Sequence, residues 1–246
     1  MSHCKNCGKE LHDLYCSHCG QKARTERITI NYLWNEIFHF FTHIEKGFLY
    51  TSLQMLVRPG KSVRNFIDGK RRKYQSPISY FVIWTTIFIL LLFCIENLFG
   101  ENVVINYKEY FGPGATTKFA ISHLSLVLTI IIPFQALYLY LLVTKKVYNY
   151  FETMVATIYS LGTIILLQFV FAIVALLIHT IRTVPIDLGI SDFFKVLYLT
   201  WFTFDLIKLF SLKMKLIRAL VFIILAFGTF TLWRLYGLPV VLGIRH

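Results

Sequence analysis

Four of the chain's five cysteines lie before residue 20, as Cys4-Lys5-Asn6-Cys7-Gly8 and Cys16-Ser17-His18-Cys19-Gly20. A two-residue spacer lets both thiolates of a pair face one ion. The glycine after each pair admits a left-handed backbone, which brings nearby amides toward the sulfurs. The eight residues between Cys7 and Cys16 suffice for a tight hairpin that joins the pairs. Four thiolates close a tetrahedron with no position left for water, so the spacing predicts a structural zinc site on Cys4, Cys7, Cys16 and Cys19. His3, His12 and His18 are weaker substitutes. The N-terminus is polar and does not read as a signal peptide, so these thiols are expected in a reducing cytoplasm. There they read as metal ligands before they read as disulfides or a redox dithiol. A ribbon over residues 1–21 buries almost nothing by itself, so metal must supply its folding energy.

Two other constellations hold metal- or proton-binding side chains. Glu36, His39 and His43 are spaced to share one helical face, and Glu-x-x-His is a carboxylate-metal pattern. Metalloenzymes of that kind need a second such motif, which the sequence lacks, and histidine in an aromatic interfacial helix is ordinary. Glu96, His123, His179 and Asp192 come together only through topology. They would lie at similar depth near the outer ends of membrane spans, as an ion or proton site. Span ends also tolerate polar groups at little cost, which is the plainer reading. No P-loop, nucleophile elbow, H-E-x-x-H or dinucleotide fingerprint occurs, which argues against an enzyme and leaves no catalytic residue to name.

The elements that must carry these residues are membrane helices. The hydrophobic fraction is 56%, while 15% of residues are charged, against about 25% in a soluble domain. The mean hydropathy is +0.60. A span needs about 20 mostly apolar residues, and runs at about 79–99, 120–143, 154–181, 190–210 and 216–236 are candidates. Pro133 is expected to kink the second. The run at 190–210 is the weakest, because Asp192, Lys195, Asp205 and Lys208 flank a short uncharged centre. Lys70 to Lys73, Lys145, Lys146, Lys213 and Lys215 would share the ribbon's side of the bilayer. Lys108, Lys118, Arg182 and Arg245 would lie opposite. This distribution favours a cytoplasmic ribbon. The expected fold is therefore an all-α polytopic membrane protein of five spans, N-terminus inside and C-terminus outside, with domains at 1–21, 22–74 and 75–246.

Between ribbon and first span lies a basic, amphipathic segment. Thirteen of the 25 Lys and Arg residues precede Tyr74. Helices are expected over 31–44, 47–57 and 61–67, the last two separated by the breaker Arg58-Pro59-Gly60. Such pieces suit the membrane interface, or pack on the spans as a cytoplasmic cap. Arg58, Pro59, Gly60, Arg64, Gly69, Lys70, Arg71, Arg72 and Lys73 form a candidate dock for lipid or a partner, at headgroup level. Positive-inside topogenesis accounts for the same charges.

The order of motifs resembles a known family. Tyr15-Cys16-x-x-Cys19-Gly20-Gln21-Lys22 precedes Arg27-Ile28-Thr29 and Glu45-Lys46-Gly47-Phe48. Arg58-Pro59-Gly60, Phe66-Ile67-x-Gly69-Lys70-Arg71, Tyr74 and Pro77 follow. This looks like a bacterial family of zinc-ribbon multi-pass membrane proteins, domain of unknown function 3667. The resemblance covers about the first 85 residues by specific motifs. It implies a bacterial inner membrane with the ribbon in the cytoplasm, and brings no catalytic residues with it. The resulting expectation is a membrane adaptor that recruits a cytoplasmic protein through its ribbon. The rival is a small transporter or ion-binding protein using the outer Glu/His cluster. Nucleic acid is a poor fit, since so small a ribbon lacks a recognition helix or aromatic platform.

Overall fold

In the computed structural model, the described residues are 2–25, 27–40, 47–99, 104–105, 129–145, 147–182, 186–187, 191–208 and 214–232. The chain opens with β1 (Ser2–His3) paired antiparallel to β2 (Glu10–Leu11), followed by α1 (Ile30–Phe40), α2 (Phe48–Val57) and α3 (Pro59–Ile67). Then come α4 (Pro77–Phe99), β3 (Val104–Ile105), α5 (Thr129–Thr144) and α6 (Tyr150–Arg182). β4 (Ile186–Asp187), α7 (Ser191–Lys208) and α8 (Lys215–Leu232) complete the order. β3 and β4 pair in parallel, with Val104 opposite Ile186.

The helix boundaries follow local chemistry. Pro77 starts α4, a position where its missing N–H costs nothing, and the Ser76 carbonyl takes the first helical bond from Tyr80 at 2.8 Å. At the start of α6, Asn149 Oδ1 accepts from the Glu152 N–H at 2.7 Å, while Glu152 Oε2 accepts from the Asn149 N–H at 2.8 Å. This reciprocal pair satisfies two otherwise orphaned amides. Arg58-Pro59-Gly60 was expected as a break before a helix at 61. Instead Pro59 and Gly60 form the first turn of α3, because proline's fixed φ suits a first helical turn. The end of α5 widens into π-helical turns over Tyr140–Thr144.

α4 and α6 lie side by side and run parallel, which sets the axis of the molecule. Tyr80 meets Thr163 through their hydroxyls at 3.1 Å, and Phe99 meets His179 ring to ring at 5.9 Å near the far ends. Gly162 permits the close approach, since a Cβ there would lie 2.8 Å from the Tyr80 ring. An aromatic chain joins the layers: Phe66 to Tyr159, Tyr159 to Tyr80, Tyr80 to Phe48 and Phe48 to Trp84, with centroids 5.1–6.0 Å apart. Rings at these spacings and tilts contribute beyond the area they bury. Through this chain α2 and α3 become part of the core. Trp84 Nε1 donates to Ser52 Oγ, and Tyr198 of α7 donates to the Met55 carbonyl.

Among the described residues, α4 and α6 are long and apolar enough to cross a membrane. Their most apolar stretches are only 44% and 33% buried within the molecule, so both helices also present apolar side chains outward. Leu90, Phe93, Val170, Val174 and Leu177 are among the exposed ones. α7, α8 and α5 overlap the runs expected at 190–210, 216–236 and 120–143.

Candidate metal centre and its seat

The ribbon is built twice on one backbone plan. In the first knuckle the Gly8 N–H donates to the Cys4 carbonyl and the Cys4 N–H to that of Lys9. In the second, Gly20 donates to Cys16 and Cys16 to Gln21, all four bonds at 2.8 Å. Gly8 and Gly20 sit at φ +77° and +70°, the left-handed geometry expected after each Cys pair. Pairing of β1 with β2 closes the first knuckle. A bridge between Tyr15 and Lys22, with the Ala23 N–H on the Leu14 carbonyl, closes the second. Ordered pairing therefore runs to Ala23.

The four sulfurs meet at the centre, all within 4.8 Å of one another. Cys4 lies 3.6 Å from Cys19 and Cys7 lies 3.6 Å from Cys16. These are not disulfides: all four cysteines are free, and a covalent S–S bond is about 2.0 Å. A metal–sulfur length of about 2.3 Å puts tetrahedral sulfurs about 3.8 Å apart, so the set fits one tetrahedral ion. Metal-free, the thiols are unequal. Burial pushes the Cys19 thiol up, but donors from the Gln21 backbone and Asn6, with Cys4 and Cys7, outweigh it and bring it down to about 6. At Cys7 the Lys9 amide pulls down, yet burial and the three neighbouring thiols push the group up to about 12. Among the described residues, no other cluster of His, Cys, Asp and Glu is placed to hold a metal.

The ribbon does not hang free of the helices. Gln21, buried, donates from Nε2 to the Gly69 carbonyl at 2.8 Å, and its Oε1 accepts from the N–H groups of Arg71 and Arg72. Arg72 Nε donates to the Cys19 carbonyl at 3.2 Å. Gly69, at φ +101°, leaves room for Thr25 Oγ1, which would lie 2.7 Å from any Cβ there. The linker is tied down as well. Arg27 sets its guanidinium on both oxygens of buried Glu152, at 2.9 and 3.3 Å, and Asn149 Nδ2 donates to the Ile28 carbonyl. Ribbon, linker, α3 and the start of α6 thus form one joint.

The remaining sequence candidates separate. Within the basic segment, Pro59, Gly60 and Gly69 are buried, whereas Arg58, Arg64, Lys70, Arg72 and Lys73 are exposed. Arg64 pairs with Asp68 at 3.5 Å, and Arg71 lies over the rings of Tyr32 and Phe66 at 4.6 and 5.4 Å. Glu36 accepts from Tyr32 and Ser76, each at 2.6 Å, which makes it a brace between α1 and the start of α4. The side chain of His39 and all of His43 lie outside the described residues. In the outer cluster, Glu96 is buried with neither carboxylate oxygen hydrogen-bonded. His179 packs on Phe99, Asp192 pairs with Lys195 at 2.5 Å, and His123 lies outside the described residues. Gln21, Arg27 and Glu152 hold the joint together, and spacing alone did not point to their pairing. Only the Asn149-x-x-Glu152 pattern carried a local signal.

No curated protein and no solved structure matches the chain. Residues 45–89 match the model of a family described as a protein of unknown function, DUF3667. That stretch contains α2, α3, the start of α4 and the Gly69–Arg72 seat, and it leaves the ribbon outside.

Proposed function

We propose that this chain is a bacterial inner-membrane protein whose zinc ribbon recruits a cytoplasmic protein. The observation that carries the reading is how the ribbon is mounted. One edge is clamped by Gln21 and Arg72, while Leu14 and Tyr15 stand outward, 79% and 59% exposed. A metal-stiffened hairpin fixed to a helical body presents that apolar pair without having to order it on binding, which lowers the cost of association. Four thiolates leave the ion no open position, so zinc serves folding here and recognition falls to the ribbon's surface. Leu14 and Tyr15 replaced by Ser should remove co-purifying proteins from a mild-detergent pull-down while the bound metal stays. Unchanged co-purification would sink the adaptor reading.

The membrane reading extends α4 and α6 to five spans. α6 has 33 residues, or about 50 Å, against a hydrocarbon core of about 30 Å. Its first turns therefore stand clear of the bilayer, where they hold the linker through Glu152. α5, α7 and α8 supply the other three crossings, ribbon inside and C-terminus outside. The charged ends of α7 fit the headgroup region. A reporter fused after His246 that is active only outside the cytoplasm supports this layout, and one active only in the cytoplasm removes a span.

A second reading rests on Glu96. A carboxyl buried with both oxygens unpartnered, at the end of α4 that meets His179, suits a bound cation or a carried proton. Flux of protons or metal ions into liposomes that is unchanged by Glu96→Gln would exclude it.

A further inference from the structure

The joint between ribbon and helices encloses a cleft of about 310 Å³, at the small end of the range for organic ligands. Its floor is aromatic: Tyr32, Phe66 and Tyr74 line it, the last two almost wholly buried. Lys22, Arg24 and Arg72 line its rim and are exposed. None of these three makes an ion pair among the described residues. Glu36 is the carboxylate in the lining, and its two oxygens already accept hydroxyl bonds from Tyr32 and Ser76. Arg71 is stacked over Tyr32 and Phe66 behind the rim. The buried Thr25 hydroxyl lines the cleft with no hydrogen-bond partner.

These observations select a ligand chemistry. Three cations without ion pairs around a small volume favour a compact polyanion, and guanidinium groups match phosphate oxygens in pairs. The aromatic floor favours an organic body over a bare ion. We propose that the cleft binds a phosphomonoester on a small organic body, with its phosphate on Lys22, Arg24 and Arg72 and its body on Tyr32, Phe66 and Tyr74. Two sources offer this chemistry. Tyr74 and Ser76 lead straight into α4, so a lipid headgroup is within reach, and the mouth between ribbon and helices admits a soluble compound. The proposal does not rest on partner recruitment through Leu14 and Tyr15, neither of which lines the cleft.

Full-length, metal-loaded protein in detergent, titrated by native mass spectrometry, decides the matter. The probes are glycerol phosphate and phosphatidic acid, each set against its neutral counterpart, glycerol or diacylglycerol. Lys22→Gln combined with Arg24→Gln should weaken phosphate-dependent binding about tenfold or more, as loss of charge-assisted bonds does, with the metal retained. Lys61→Gln combined with Lys145→Gln, two exposed lysines outside the cleft, should leave it unchanged. Binding of glycerol phosphate assigns a soluble ligand, and binding of phosphatidic acid alone assigns a lipid. The proposal is overturned if neither phosphate probe exceeds its neutral counterpart. It is equally overturned if the cleft variant binds like the wild type, or if both double variants weaken binding alike.

Discussion

Gly60 gives its backbone N–H to Asp205 Oδ2 at 2.8 Å, and a Cβ on Gly60 would lie 2.6 Å from the backbone of Asp205 and Leu206. The first turn of α3 is thus pressed onto the last turns of α7, with a carboxylate at its positive end. Gly60→Ala has nowhere to put its methyl, since backbone yields less readily than a side chain, and should cost about 1–3 kcal/mol. Asp205→Ala should cost about 1 kcal/mol through the lost cap. Thermal unfolding in a fixed detergent measures both. A Gly60→Ala protein as stable as wild type would mean that α3 and α7 are not in contact.

Gly162→Ala tests the other close approach. Its Cβ meets a side chain, the Tyr80 ring at 2.8 Å, rather than backbone. The ring can shift only by disturbing its bond to Thr163. A loss of about 1–3 kcal/mol is expected, relieved in part by Tyr80→Phe in the same chain.

Replacing any one of Cys4, Cys7, Cys16 and Cys19 by Ser should abolish tight metal binding, because a three-thiolate site no longer closes the tetrahedron. Metal analysis should give one ion per chain in the wild type and none in the variant, with far-UV circular dichroism nearly unchanged because the helices do not depend on the ion. Metal binding requires thiolates, so protons compete with the ion. Retention should fall as the pH is lowered and recover at neutrality.

Gln21→Ala should release the ribbon without emptying it. The variant loses three hydrogen bonds to Gly69, Arg71 and Arg72, each contributing about 1 kcal/mol. The thiolates are untouched. Hydrogen exchange across residues 2–25 and 69–72 should quicken together while metal content holds at the wild-type level. Quickening in only one of the two segments would refute the docking.

At the linker, Asn149→Ala should destabilise by about 1 kcal/mol, the usual worth of a helix N-cap. Arg27→Gln should cost less, since its guanidinium lies at the surface and solvent screens it. Cleavage by protease after Lys22 or Arg24 reports on both, because the loosened linker opens to attack.

Local chemistry made part of this architecture legible. The Cys-x-x-Cys-Gly pairs foretold four convergent sulfurs and two left-handed glycines, because metal spacing and backbone handedness are settled within a few residues. The long apolar runs foretold α4 and α6 for the same reason. What escaped was pairing across distance. Nothing around Gln21 says that its amide will find Gly69, and nothing around Arg27 points to Glu152, 125 positions away. The Glu36-x-x-His39 spacing suggested a metal face, while the carboxylate went to Ser76, which periodicity along α1 cannot foresee. The break expected at Arg58-Pro59-Gly60 falls at Arg58, between α2 and α3, but that Gly60 would press on α7 is another pairing across distance.

The doubled backbone of the ribbon has a consequence for how its orientation is specified. Lys9 and Gln21 occupy equivalent places, each offering its carbonyl to the first cysteine of its own knuckle. Lys9 is exposed and Gln21 is buried against Gly69. The two knuckles therefore share a backbone plan but not their surroundings, and the Gln21 side chain, with Arg72 on the Cys19 carbonyl, is what marks the second as the docked one. Exchanging the pair, Lys9→Gln with Gln21→Lys, would take that amide away from the docked knuckle.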